Sequence, residues 1–536
     1  MNGGSNGSKV LALQLAVVVG VCAFFFFFGL GAFGLVGADE PRYAQISREM
    51  FARHDWIVPT LNGSPWLEKP AFLYWKIMNS YRVFGVHDWA ARIPSAAHAT
   101  TLILVMFFFM RRFRPGAELD AALITASSVG IFAFARGAST DMVLSAPFCM
   151  AMLAWWAWHQ SSRKLWLAAF YALLAVGALA KGPVAPGLAV LIVGAFAAVR
   201  RDLRILWRSA WWPGFLLFFA ITLPWYLAVQ SKVPQFFRIF FIEHNLERFG
   251  TNLYQHVQPF WYYIPVFVLG MMPWSVFCLP ALVESVQSMV RSWRSRNGED
   301  QNDGLSAFFA VWVLVPIVFF SISRSKLPGY ILPSLPAAAL LTADYLYRSA
   351  KAFSPLKRTL HSLVCGALVA ASLIAPWRLM KQSLPESAEG WIVTAAMATA
   401  LMVLLALRRA GRHMLRFATL VPLVLGLAFL LRPAAHVIDD AASARPLSLK
   451  LQELGPQAGS VVVFDVKREV EYGLNFYRNQ AIARYERDGV PESSHLVVAK
   501  AGSEAAVRTM VGSRAVIKLG SFPPQRLEFF LVSAAK

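Results

Sequence analysis

Apolar runs close to the ~20 residues needed to cross a bilayer recur from Val10 to Leu431. A backbone inside lipid must satisfy its polar groups within its own segment, so such runs can only be helices. About thirteen are legible, beginning with Val10–Phe33, Pro94–Met110, Leu119–Ala135 and Met142–Trp158. Tyr262–Leu282 lies mid-chain, and Trp391–Leu407 and Phe417–Leu431 close the series. At 57% apolar and mean hydropathy +0.50, the chain is too apolar for a soluble domain of its length. The expected fold class is a polytopic α-helical membrane protein.

Charge orients it. Arg111, Arg112 and Arg114, then Arg163 and Lys164, then Arg200 and Arg201, occupy alternate connectors. RSWRSR and RRAGRHMLR do the same further on. Lys and Arg mark cytoplasmic loops, so the intervening loops, residues 34–93 and 230–261, face outward. In a Gram-negative inner membrane that side is periplasmic. The same connectors account for much of the net charge of +21. No basic stripe lies on a segment outside the membrane, so no nucleic-acid partner is expected.

Cys22, Cys149, Cys278 and Cys365 all sit in apolar runs and read as small buried hydrophobes. The first run is too long for a signal-peptide core and reads as a retained span. Residues 1–431 therefore form a membrane domain. From Arg432 the composition changes. VVVFDV, HLVVAK, RAVIKL and LEFFLV read as strands and KREVEYGLNFYR as a helix. Residues 432–536 are expected to form a small α/β domain, placed outside by the odd span count. It reads as a lid or docking module.

The loop after the first span carries the densest chemistry: Asp39, Glu40, Arg42, Tyr43, Glu49, Asp55, Trp56, Glu68 and Lys69. Two short helices are expected in it, at Arg42–Arg53 and Ala71–Phe84, lying on the membrane. Asp141, Lys181, the His244–His256 segment and Ser323–Tyr330 reach the same face. Lys69, Arg248, Lys326 and Tyr330 are phosphate-binding types. Asp39, Glu68 and Asp141 suit proton abstraction or the binding of a cation, amine or hydroxyl. Blander readings stand beside these. Glu68 and Lys69 could pair with each other, Lys326 could snorkel at a span end, and Arg248 could anchor the interface. His244 and His256 are either neutral hydrogen-bonding groups or, with Glu68, ligands of a divalent ion such as zinc or magnesium.

DEPRYAQISREM, DWIVPTLNG and LEKP, followed by EHNLERF, HVQPFWYYIPVFVLGMMPW and SKLPGYILPSLPA, resemble motifs of glycosyltransferase family 83 in the same order. That family includes lipid A 4-amino-4-deoxy-L-arabinose transferases, within the protein-mannosyltransferase-like GT-C group. The resemblance covers Asp39 to about Ala339. It implies a GT-C fold of about thirteen transmembrane helices, with the C-terminal domain on the periplasmic side. Asp39 would be the catalytic-loop aspartate, Asp141 a second acid near the sugar, and Arg42 the loop arginine beside Tyr43. Lys69, Arg248 and Tyr330 would grip the phosphate of a polyprenyl-phosphate sugar, and a divalent metal would sit near Glu68.

The implied reaction is inverting transfer of an aminosugar from undecaprenyl phosphate to lipid A or another envelope acceptor, with no nucleotide cofactor. A transferase of the same fold acting on a protein or glycan hydroxyl is one alternative. A lipid-phosphate flippase is another. A transporter would more often hold its polar groups at the bilayer midplane, whereas these cluster at span ends.

Overall fold

The structure, a computed structural model, describes residues 3–240, 258–294, 304–348, 354–379, 386–454 and 460–535. Among these, nine helices are long and apolar enough to cross a membrane, from Gly7–Phe27 to Met414–Leu431. A bent pair would add a tenth. The chain is a multi-pass helical membrane protein.

The bent pair departs from the single span expected at Leu119–Ala135. Glu118–Ser127 and Val129–Ala135 meet at 65°. Ser127 and Ser128 donate their hydroxyls to the carbonyls of Leu123 and Ile124, four residues back. The Val129 N–H then leaves the ladder for the Met272 carbonyl at 3.0 Å. Trp274 Nε1 donates to Ser127 Oγ at 2.8 Å. Hydroxyls that compete for the ladder and an acceptor outside it together account for the kink. The span expected at Tyr262–Leu282 is also divided, into Tyr263–Gly270 and Ser275–Arg294. Pro273, between the two, has no N–H with which to continue the ladder.

Near the C-terminal end of the membrane region, Glu386–Leu431 is helical throughout. Both of its apolar stretches pack on the Pro355–Leu379 helix. Gly366 lies against Ala396 and Ala400, and His361 Nε2 is 2.8 Å from Thr419 Oγ1. A small residue at the first contact lets the backbones approach closely.

The first loop is ordered. Its helices run Asp39–Ala52 and Phe72–Phe84 and pack on each other. Tyr43, Ile46, Ser47 and Met50 recur at helical spacing and are buried. Between the helices, β1 (Thr60–Leu61) and β2 (Ser64–Pro65) form a hairpin whose turn places Asn62 and Gly63 at positive φ. Glu49 holds that turn, accepting from Thr60 Oγ1 at 2.7 Å and from the Asn62 N–H at 2.8 Å.

The C-terminal region contains a five-stranded mixed sheet. Its strands are β3 (Ser460–Phe464), β4 (Ala483–Arg484), β5 (His495–Lys500), β6 (Val516–Phe522) and β7 (Leu527–Val532), in the order β4-β3-β5-β7-β6. β3 pairs parallel to β4 and β5, and β7 pairs antiparallel to β5 and β6. Alternate residues serve two cores. Val461 and Val463 join Leu447, Leu451 and Leu474, while Val462 and Val497 join Tyr485, Val507 and Val511. The Arg468–Arg478 helix packs against Asp39–Ala52 of the first loop.

Residues 30–40 are gripped from two sides. Arg92, 2% exposed, donates to the carbonyls of Leu30, Phe33 and Gly34 at 2.7–2.9 Å. It also pairs with Glu40 at 2.7 and 3.0 Å. From the C-terminal side, Asp439 accepts the Gly34 N–H at 2.7 Å, and the Tyr477 hydroxyl accepts the Leu35 N–H at 2.8 Å. Arg445 bridges Asp439, Asp88 and the carbonyls of Gly31 and Ala32. A Cβ at position 34 would overlap the hydroxyls of Ser443 and Tyr477, so the close approach requires glycine.

Candidate active site

The segment held in this way delivers Asp39 to the mouth of a cavity of about 630 Å³. Much of its lining comes from the ends of helices. Asp39, Arg42 and Tyr43 come from the first turns of Asp39–Ala52. Thr140 and Asp141 open the Thr140–Ser161 helix, where Ser139 is the N-cap. Lys181 ends Lys164–Lys181, and Phe320 lies in the last turn of Gly304–Ile322. Glu68 and Lys69 enter from the first loop, Tyr330 from the turn after Ile322, and Arg468 from the C-terminal region.

Four cations, Arg42, Lys69, Lys181 and Arg468, face three carboxylates, Asp39, Glu68 and Asp141. Four minus three leaves one positive charge in excess, which suits an anionic ligand. Arg42 donates to Asp39 at 2.5 Å, and Asp39 itself is 60% exposed to the cavity. The Arg42 guanidinium stacks over Tyr43, Trp66 and Tyr472 at 5.1, 5.1 and 5.7 Å. Its burial opposes the charge, but Asp39 and Glu68 outweigh that and hold it firmly protonated. Burial, reinforced by the nearby charge of Asp39, raises the Tyr43 hydroxyl well above its ordinary range. Tyr43 is therefore a neutral donor or acceptor at any physiological pH.

Asp141 pairs with Lys181, and the Lys181 ammonium lies 5.3 Å from the centre of the Tyr330 ring. Gly329 packs on that carboxylate, and a Cβ there would stand 2.8 Å from the Asp141 carboxyl carbon. The structure thus gathers Asp39, Arg42, Tyr43, Glu68, Lys69, Asp141 and Tyr330 around one space. Arg248, His244 and His256 lie outside the described residues. Lys326 does not line the cavity. It is 5% exposed and donates to the carbonyl of Ser323 and, at 3.1 Å, to that of Gln258. Among the described residues, no three His, Cys, Asp or Glu side chains gather as an ion-binding set.

A family profile described as dolichyl-phosphate-mannose-protein mannosyltransferase matches residues 68–227. The undecaprenyl phosphate-α-4-amino-4-deoxy-L-arabinose arabinosyl transferase of Pseudomonas aeruginosa is 30% identical over 500 residues, covering 84% of this chain and 85% of that one. The chain belongs to this arabinosyl transferase family. A member from Edwardsiella ictaluri is 33% identical over 319 residues, and there the match spans about half of the relative, 55%. The crystal structure of ArnT from Cupriavidus metallidurans bound to undecaprenyl phosphate superposes with a TM-score of 0.76 at 23% identity, covering 98% of each chain. The fold of that structure is thus shared over 98% of the chain.

Two cavity residues of this family member escaped assignment from sequence. Lys181 was placed on the same face as Asp39 and Asp141 but given no role. Arg468 lies more than 400 residues from Asp39 in a polar segment where an arginine carries no signal. Its one clue was the shared helix with Tyr472, whose ring stacks on Arg42.

Proposed function

We propose that the chain transfers 4-amino-4-deoxy-L-arabinose, or another aminosugar, from undecaprenyl phosphate to a phosphate of lipid A. The reaction takes place at the periplasmic face of the inner membrane. In this reading the chain crosses thirteen times and residues 432–536 stand outside with the cavity. The observation that carries it is the convergence of Lys69, Lys181, Arg468, Asp39 and Asp141 on one space at the helix ends.

An acceptor phosphate oxygen attacks the anomeric carbon from the face opposite the donor phosphate. The bond from that carbon to the donor oxygen breaks, and its electron pair leaves with undecaprenyl phosphate. One monoester becomes a diester and one diester becomes a monoester, so no proton need move. A monoester phosphate with a second pKa near ~6 is already largely dianionic at neutral pH. Lys69 and Arg468, together with Arg248, stabilise charge on the leaving phosphate. Asp39, restrained by Arg42, orients the reacting groups, and Asp141 with Lys181 and Tyr330 receives the aminosugar. Glu68 with His244 or His256 is the proposed seat of a divalent ion. Metal analysis of purified wild type and Glu68→Gln tests that seat, with equal metal content refuting it.

The deciding experiment is mass spectrometry of lipid A from a host lacking its own transferase, with and without this protein. A gain of one pentosamine on a phosphate, lost in Asp39→Ala, supports the reading. An unchanged profile with inserted protein and donor present refutes lipid A as acceptor.

A further inference from the structure

A second cavity, of about 690 Å³, adjoins the first. It opens where Arg378, at the end of the Pro355–Leu379 helix, meets Lys467, Lys500 and Arg526 of the C-terminal region. The two spaces share a wall. Gly37 lines both, and consecutive residues divide between them, Lys467 in the outer cavity and Arg468 in the catalytic one. A headgroup spanning that wall would touch both sites at once.

The outer cavity is basic. Its four cations face two carboxylates, Asp465 and Glu469. Lys467 pairs with Glu469 at 3.1 Å and Lys500 with Asp465 at 3.8 Å, all four exposed. Exposed pairs of this kind contribute little and exchange readily for a stronger anion. Arg378 and Arg526 are exposed and make no ion pair among the described residues. A guanidinium fork suits a phosphate better than any other common anionic group on a saccharide. The position also selects the ligand. Part of the lining is the end of a membrane helix, Arg378 and Leu379, and the rest belongs to the C-terminal region and Gly37, so the cavity lies where a headgroup carried on a lipid can reach it.

We infer that the outer cavity is an acceptor subsite that binds a second phosphate on the saccharide headgroup while the first reacts in the adjoining cavity. The inference rests on the proposed reaction and assigns Arg378 and Arg526 to specificity for bisphosphorylated acceptors.

The test uses full-length protein in zwitterionic nanodiscs, so that the acceptor is the sole source of lipid phosphate. Wild type and the double variant Arg378→Gln/Arg526→Gln are compared on lipid A carrying two phosphates or one. The variant should raise KM for the bisphosphorylated acceptor about tenfold, which corresponds to about 1.4 kcal/mol. kcat, the donor KM and the KM for the monophosphorylated acceptor should stay unchanged. An unchanged KM, or an equal rise for both acceptors, overturns the subsite. Acceptor binding without donor, read by native mass spectrometry, separates the two claims. If wild type forms no product yet prefers two phosphates, and the variant loses that preference, the subsite stands and the proposed reaction falls. If product forms and the preference persists in the variant, the subsite falls and the reaction stands. If wild type shows no preference, the subsite also falls.

Discussion

Glu40→Gln tests whether the grip on residues 30–40 is what makes Asp39 competent. Glu40 Oε1 accepts from Arg92 Nε at 3.0 Å and from the Ala138 N–H at 2.7 Å. Oε2 accepts from Arg92 Nη2 at 2.7 Å and from the Val36 N–H at 2.8 Å. Glutamine has the same shape, but its amide nitrogen must replace one oxygen, which sets donor against donor at two contacts. It also strands the Arg92 charge, which is 2% exposed. Breaking a buried ion pair from one side costs about 3–5 kcal/mol. For a chain of 536 residues that lowers the thermal midpoint by roughly 3–5 °C. Asp39 is the adjacent residue, and a displacement of about 1 Å at a reacting group can cost about 100-fold in rate. The assay is thermal unfolding in detergent together with sugar transfer measured well below the variant's midpoint. Asp39→Asn is the control. It should lose turnover and keep its midpoint, because its side chain is 60% exposed and its partner is Arg42. A midpoint within about 2 °C of wild type, with kcat retained, would refute the argument.

Lys326→Met should lower thermal stability and leave the donor KM unchanged, since the ammonium serves the carbonyls of Ser323 and Gln258; a large rise in donor KM would restore it to phosphate binding. Gly329→Ala drives a methyl onto the Asp141 carboxylate, so kcat should fall about tenfold or more with little change in acceptor KM. Burial, with a smaller contribution from Arg514, depresses the pKa of His495 below its ordinary 6.5, and its Nε2 lies 2.5 Å from the Tyr485 hydroxyl. Below pH 6.5 the unfolded chain therefore binds the extra proton first. Stability should fall as pH drops through the folded pKa. Exchange protection of β5, corrected for intrinsic rates, should follow that fall in wild type and lose it in His495→Gln.

What was legible in the sequence follows from how membranes punish charge. Asp39, Asp141 and Tyr330 stood out because each borders an apolar run, where an ionisable or amphipathic group has few bland reasons to sit, and Glu68 and Lys69 because the first loop packs so many charges of both signs. The short apolar, β-prone runs HLVVAK and LEFFLV gave β5 and β7 at the residues observed. The kink at Ser127-Ser128 was not legible, because its cause is Met272 and Trp274, contacts some 140 residues away. Lys326 was read as a phosphate ligand by residue type and by its place in SRSKLPGY. Only the fold shows two carbonyls claiming its ammonium. Arg468 was invisible for the opposite reason: a lone arginine in a polar domain is ordinary until the Arg468–Arg478 helix is seen lying against Asp39–Ala52.

The grip on residues 30–40 also imposes an order of events during synthesis. Gly34 waits for Asp439, 405 residues later, and Leu35 for Tyr477, 442 residues later. At about 5–20 residues per second, the nascent chain spends roughly 20–80 s with residues 30–40 held from the Arg92 side alone. During that interval the loop is a substrate for proteases. A chain truncated before Asp439 keeps the helices up to Leu431 and loses the contacts to Gly34 and Leu35. Maturation of the first loop is thus timed by the last fifth of the protein, and activity itself reports that translation has finished.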